Sequence, residues 1–272
     1  MEPNKNLRVS TITLISEITS NINLNELYTY LNADSIIKYI EYGKNPPKGE
    51  SFKKIKNPRK NTIVKEKKFF YNQLTMHVLK DKIVNVKVFN NGRIQMTGLK
   101  TKQQGIDIMN IFIDYLLKIN PENLEKIVDN TSPEIKDSQI VLINSDFDIK
   151  YKINRELLHR MIISMNYYSS YEPTIYPGVN IKYCFNESNP DDGICKCSVP
   201  CNGKGKVNSD GIKCCKRITI AVFNSGKIII TGGQSYHHLN TAYEFITNLI
   251  ETNKKELIQN DKIEGQKDMI VN

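Results

Sequence analysis

Apolar and polar residues alternate along Val88-Phe89-Asn90-Asn91-Gly92-Arg93-Ile94-Gln95-Met96-Thr97-Gly98, and the pattern returns 134 residues later as Val222-Phe223-Asn224-Ser225-Gly226-Lys227-Ile228-Ile229-Ile230-Thr231-Gly232. Seven of the eleven positions are identical. Each copy predicts a strand, an Asn-x-Gly turn and a second strand, the signature of a β-hairpin. Behind each hairpin the period lengthens to that of an amphipathic helix. The first helix is predicted near Gln103–Ile119, with Ile106, Met109, Phe112, Ile113, Leu116 and Leu117 on one face. The second is predicted near Leu239–Thr252, with Ala242, Tyr243, Phe245, Ile246, Leu249 and Ile250. Upstream, Ser10–Ser16 pairs with Ser138–Asn144 as an opening strand, followed by helices at about Leu24–Leu31 and Asn154–Met165.

Each half therefore reads as strand, helix, about three antiparallel strands and a long helix. The period far exceeds the ~20–50 residues of a solenoid, so the chain is a duplicated pair of α+β halves. The expected division is a first repeat over 1–130, a second over 131–258 and a polar tail over 259–272. A sheet half covered by helices leaves its other face open, and an open sheet face needs a partner.

The chain has 272 residues and a net charge of +9, with 39% hydrophobic residues. No apolar run approaches the ~18 residues of a membrane helix, so no membrane span is expected. Met1–Asn6 is polar and is not read as a signal peptide. The charge is uneven. Gly43–Lys68 holds ten basic and two acidic residues, and Cys195–Arg217 holds six basic and one acidic. These two segments carry +8 and +5, which leaves −4 for the rest of the chain, and they fall in inserts bounded at about 43–68 and 186–216. They are read either as solvated loops or as arms that contact phosphates.

All six cysteines lie between Cys184 and Cys215. The spacing Cys195-x-Cys197-x3-Cys201-x12-Cys214-Cys215 suits one structural zinc, held by Cys195, Cys197, Cys201 and Cys214, with Cys215 as the alternative fourth ligand. Free thiols or a disulfide are the other readings, and Cys184 reads as a small core residue. His77, His159, His237 and His238 stand in no recognisable catalytic spacing, and no phosphate-binding glycine loop occurs, so no enzyme is expected. His237-His238 reads as a helix start.

Ser169-Ser170-Tyr171-Glu172-Pro173-Thr174-Ile175-Tyr176-Pro177-Gly178-Val179 closely resembles a segment of the second repeat of the TATA-box-binding protein family, and both hairpins resemble that family's Phe-x-Ser-Gly-Lys-x-x-x-Thr-Gly motif. The inserts and the Ile/Asn/Lys bias resemble a version from a large nucleocytoplasmic DNA virus. The resemblance implies a saddle of curved antiparallel sheet, with helices on the convex face and double-stranded DNA on the concave face. It implies minor-groove wedging by aromatic pairs, a mechanism for which the family is the type case. Phe89 and Phe223 match one member of each pair. Tyr176 matches the second-repeat partner, and Phe69, Phe70 or Tyr71 the first. Val9, Thr11, Thr97 and Thr231 match groove-facing positions. The family's central amides fall at Leu7 and at or near Gln139. Glu172, Thr174 and Ile175 match the contact site for a B-type general initiation factor. The resemblance thus implies a transcription initiation factor that bends AT-rich promoter DNA and recruits the B-type factor and RNA polymerase. It would act inside the host cell, in cytoplasm or nucleus at viral transcription sites, with packaging in the virion as a further option. The alternative is a saddle module that binds protein only.

Overall fold

The computed structural model describes residues 2–51, 69–187, 190, 192–209 and 211–258. In chain order the elements are β1 (Arg8–Ile18), α1 (Leu24–Tyr30), β2 (Ile37–Tyr42), β3 (Lys48–Gly49), β4 (Gln73–Leu79), β5 (Ile83–Phe89), β6 (Arg93–Leu99), α2 (Lys102–Leu117), α3 (Pro121–Ile127), β7 (Ile135–Asp148), α4 (Arg155–Ser164), β8 (Tyr168–Ser170), β9 (Val179–Phe185), β10 (Lys216–Val222), β11 (Lys227–Gly233), α5 (Tyr236–Thr252) and α6 (Lys254–Leu257). The class is α+β, and every pairing with a recorded register is antiparallel.

The chain forms two compact units, Ser10–Ile143 and Met1–Val9 with Asn144–Asn272. The N-terminal segment thus belongs with the second half. There Asn240 accepts from the Asn4 amide (2.8 Å) and donates to the Glu2 carbonyl (3.0 Å), and Arg8 makes a two-pronged pair with Asp146 (2.8 and 3.0 Å).

In the Ser10–Ile143 unit the sheet order is β3-β2-β4-β5-β6-β1. Val84, Val86 and Val88 of β5 and Ile94 and Met96 of β6 are fully buried, and α2 packs on Leu14 and Leu99 at Gly105. The alternate positions, Asn85, Lys87 and Phe89 with Gln95 and Thr97, are only half-buried and face away from that core. The other unit repeats the arrangement in the order β7-β11-β10-β9-β8. Val179, Ile181, Tyr183 and Phe185 of β9 are buried, with the Tyr183 ring 5.0 Å from Phe245 of α5. Helices α1 to α5 each start where a side chain caps them: Asn23, Thr101, Asn120, Asn154 and Ser235 accept from first-turn amides.

The two hairpin turns dock identically. The Asn90 carbonyl accepts from Ile22 N (2.8 Å) and the Gly92 carbonyl from Ile18 N (3.1 Å); Asn224 and Gly226 do the same for Ile153 (2.9 Å) and Ile149 (3.1 Å). These contacts equate Ile18 with Ile149 and Ile22 with Ile153. The opening strands therefore correspond three residues away from the Ser10–Ser138 pairing expected from sequence, because alternation alone does not fix register.

The basic insert also starts differently from the expected loop. β3 pairs with β2, and Lys48 turns inward. Its ammonium donates to the Tyr28 (2.5 Å), Thr29 (3.1 Å) and Leu31 (2.8 Å) carbonyls, closing the end of α1. Residues 52–68, which hold most of the insert's charge, lie outside the described residues. Strand β4 begins at Gln73, after the exposed Phe69, Phe70 and Tyr71. Helix α3 was not expected from the periodicity.

Candidate nucleic-acid interface and cysteine cluster

The stirrup between β8 and β9 is a turn closed on itself. Ile175 N and Tyr176 N both donate to the Glu172 carbonyl (2.9 and 2.8 Å). Arg155 at the start of α4 reaches across it, donating to the Pro177 carbonyl with its guanidinium 5.4 Å from the Tyr171 ring. His159 holds the base of the segment through Ser169 (2.8 Å). The turn exposes Glu172, Thr174 and Ile175 together, and Ile175 is 84% exposed, an unusual cost for an isoleucine with no use on the surface.

Next to it, Tyr176 meets Phe223 edge to face, with ring centroids 5.7 Å apart and planes at 61°. Gly178 makes this possible. A β-carbon there would stand 2.9 Å from Tyr176 Cε1 and 3.2 Å from Phe223 Cε1. Phe223 follows Val222, the last residue of β10, and Val222 pairs with Val179. Phe223 therefore stands opposite Gly178, on the face that also carries Thr219 and the half-buried Lys182.

The register of the other unit yields the counterpart. Phe89 pairs with Gln73, so Gln73 corresponds to Gly178 and Tyr71 corresponds to Tyr176. Among Phe69, Phe70 and Tyr71, the last is the positional match. Tyr71 rests edge-on against Tyr42 at 6.3 Å and over Gly43, and like Phe69 and Phe70 it is exposed. Sequence reasoning leaves the three open because the hairpin before Phe89 reads as one residue longer than the family's.

The remaining expected groove positions scatter more. Thr97 is half-buried and pairs with Thr13 and Asn85. Thr231 donates to Asn144, so an amide does stand beside this threonine, at a position the sequence alignment did not select. Val9 is half-buried. The Thr11 hydroxyl is buried, with no hydrogen-bond partner among the described residues. Leu7 is buried, and Gln139 is exposed and donates to Asp137 (2.5 Å). Lys182 was missed by motif reasoning, although the β9 alternation, with Val179, Ile181 and Tyr183 inward, already places it on the opposite face. Burial and the nearby Arg217 lower its ammonium pKa.

At the other end of β9 and β10, Lys216 pairs with Phe185, and the cysteine-rich loop joins the strands there, away from Tyr176 and Phe223. The Sγ atoms of Cys195, Cys197, Cys201 and Cys215 all lie within 4.8 Å of one another. Cys201 and Cys215 are 3.2 Å apart, and Cys215 and Cys195 are 3.7 Å apart. The fourth member is Cys215 and not Cys214, which is buried outside the group, because neighbouring residues of an extended segment point opposite ways. Cys184 is half-buried, not a core residue; its thiol hydrogen-bonds with Cys215, and burial raises its pKa. Burial opposes ionisation of Cys201, but hydrogen bonds from Cys215 and the Gly203 amide overcome it and bring the thiol to about 7. Burial and the hydrogen bond to Cys201 push Cys215 up. The donor set fits zinc: four soft ligands with bonds of ~2.3 Å make a tetrahedron with edges of roughly 3.8 Å.

His237 and His238 lie in the first turn of α5, with rings 5.0 and 4.5 Å from Phe185. No helix among the described residues is long and apolar enough to cross a membrane.

Residues 137–253 match the family model described as transcription factor TFIID, or TATA-binding protein. The chain is 28% identical over 271 residues to a TATA-box-binding protein-like protein of Acanthamoeba polyphaga mimivirus, covering 93% of this chain and 67% of that one. It is 23% identical over 175 residues to TATA-box-binding protein 2 of Entamoeba histolytica, covering 64% and 61% of the two chains. Among solved structures, the Methanococcus jannaschii TBP aligns with a TM-score of 0.49 at 17% identity, over 92% of this chain and 98% of that one. The family model matched across much of the second half, and the viral relative aligned along nearly the whole chain, support a divergent, viral TATA-box-binding protein-like protein.

Proposed function

We propose that the protein is a DNA-binding transcription initiation factor that enters and bends the minor groove of AT-rich promoter DNA. The observation that carries this reading is the Tyr176–Phe223 pair, held by Gly178 on the sheet face away from the helix-covered core, with Tyr71 and Phe89 at the matching register of the other unit. Rigid aromatic side chains at the end of an open sheet can wedge between base steps and unstack them. Thr97, Thr231 with Asn144, and Val9 are the proposed groove-facing residues. The minor groove offers mainly A·T against G·C discrimination, which this set of short side chains can read by fit.

The exposed Glu172, Thr174 and Ile175 support docking of a B-type initiation factor, and through it RNA polymerase, at viral transcription sites in the host cell. The same reading gives the four-thiol cluster one structural zinc. No enzymatic step is assigned to any of these residues.

The deciding experiment is an electrophoretic bend assay on AT-rich and GC-rich duplexes with wild type, Phe223→Ala and Phe89→Ala. The expected result is bending of the AT-rich duplex, weakened in both variants while their folding persists. Absence of DNA binding by the folded wild type would leave the protein-only module.

A further inference from the structure

The cysteine cluster is joined to the open sheet face through one side chain. Arg217 begins two residues after Cys215 and is exposed on β10, alternating with the buried Ile218. The turn after Cys201 lies flat on it. Arg217 N donates to the Gly203 carbonyl (2.8 Å), and its guanidinium reaches the Cys201 carbonyl (3.5 Å). Gly203 has φ +69°, and a β-carbon there would stand 2.7 Å from Arg217 Cβ and 2.9 Å from Nε. Two of the four thiol-bearing residues therefore fix the backbone that cradles Arg217. Amides complete the sulfur shell: Gly203 N donates to Cys201 Sγ and Cys215 N to Cys197 Sγ, both at 3.3 Å.

Arg217 shares its strand face with Thr219, Ala221 and Phe223. Six residues of strand put it roughly 20 Å from the aromatic pair. Across the strand pair, Lys182 donates to Thr219 (2.9 Å). Among the described residues no carboxylate pairs with Arg217. A guanidinium with no carboxylate partner among the described residues, on a surface proposed to face a duplex, has the chemistry of a phosphate contact.

We infer that metal binding by Cys195, Cys197, Cys201 and Cys215 positions Arg217 as a phosphate contact at the far end of the DNA-facing sheet, so that zinc sets DNA affinity without touching DNA. This rests on the DNA-binding reading above. A tetrathiolate–zinc centre carries two net negative charges, and Lys216 and Arg217, packed on Gly205 and Gly203, offset them. Four thiols without metal have no such tie, and the loop has few apolar residues to fold around.

The test compares wild type, Arg217→Gln and Cys195→Ser/Cys201→Ser, each zinc-loaded and after chelation. Native mass spectrometry counts zinc, circular dichroism follows the fold, and affinity for an AT-rich duplex is measured across salt concentrations. One zinc per chain is expected in wild type and Arg217→Gln, and none in the double variant. Arg217→Gln should flatten the slope of log K against log salt by about 1. Chelated wild type should match it, and chelated Arg217→Gln should show no further change. Absence of zinc in the folded wild type overturns the inference, as does a chelated wild type whose salt slope is unchanged. A zinc-loaded wild type that binds no DNA at low salt overturns the DNA reading instead, and the phosphate role of Arg217 falls with it.

Discussion

Replacing Gly178 with alanine should separate the Tyr176 and Phe223 rings without unfolding the protein. Gly178 is not in the left-handed region, so alanine is compatible with its backbone. The new methyl would nevertheless stand 2.9 Å from Tyr176 and 3.2 and 3.3 Å from two Phe223 carbons. Carbon–carbon contacts are comfortable at about 3.5–4.0 Å, so the rings must retreat by roughly 0.5–1 Å. Tyr176 is 37% exposed and has room to move. The stability loss is bounded by the edge-to-face contact, about 0.5–1.5 kcal/mol, partly offset by the stiffer unfolded chain. That corresponds to a Tm change of no more than ~2–6 °C. A displaced wedge acts where DNA is unstacked, at a few kcal/mol per step. Losing even ~1–2 kcal/mol there weakens DNA binding about 5- to 30-fold. Fluorescence anisotropy on an AT-rich duplex, with a thermal melt of the same sample, measures both. Unchanged affinity in a Gly178→Ala protein with shifted rings would refute the wedge assignment, as would a loss that merely tracks the unfolded fraction.

Other consequences can be checked in the same preparation. Gly92→Ala should cost about 2–4 kcal/mol, read as a lower urea midpoint at constant slope, because Gly92 has φ +74° and its β-carbon would meet the Ser20 carbonyl at 2.2 Å; Gly226→Ala, against the Tyr151 carbonyl at 2.3 Å, should behave alike. Lys48→Met should destabilise by about 1–3 kcal/mol through the uncapped carbonyls of α1, with no change in the salt dependence of DNA binding. Burial, helped by Lys216, lowers His238 to about 4. Its neutral form is the folded one, so its stabilisation is complete above pH ~6.5 and is lost as pH falls toward 4. Discounted for partial exposure, the loss is on the order of 1–2 kcal/mol, and His238→Gln should flatten this part of the stability–pH profile.

The duplication was legible because it is local chemistry. Asn-x-Gly turns, period-two strands and capped amphipathic helices are written in adjacent residues, and each recurs at a nearly constant offset. The hairpin ends Phe89 and Phe223 could be found the same way, and the Ser169–Val179 segment through its resemblance to the family. What depends on register could not. The correspondence of Ile18 with Ile149, the choice of Tyr71 as the match for Tyr176, and Asn144 beside Thr231 all follow from which residues pair across strands distant in sequence. Side-chain direction was equally hidden: Lys48 reads as one more charge of a basic run, yet it turns inward to close a helix. Cys214 and Cys215 are adjacent and chemically alike, and only the course of the backbone decides that Cys215 joins the other three thiols. Alternation and capping act over a few residues and survive in any sequence window, whereas pairing register and side-chain direction are settled by the packing of the whole sheet.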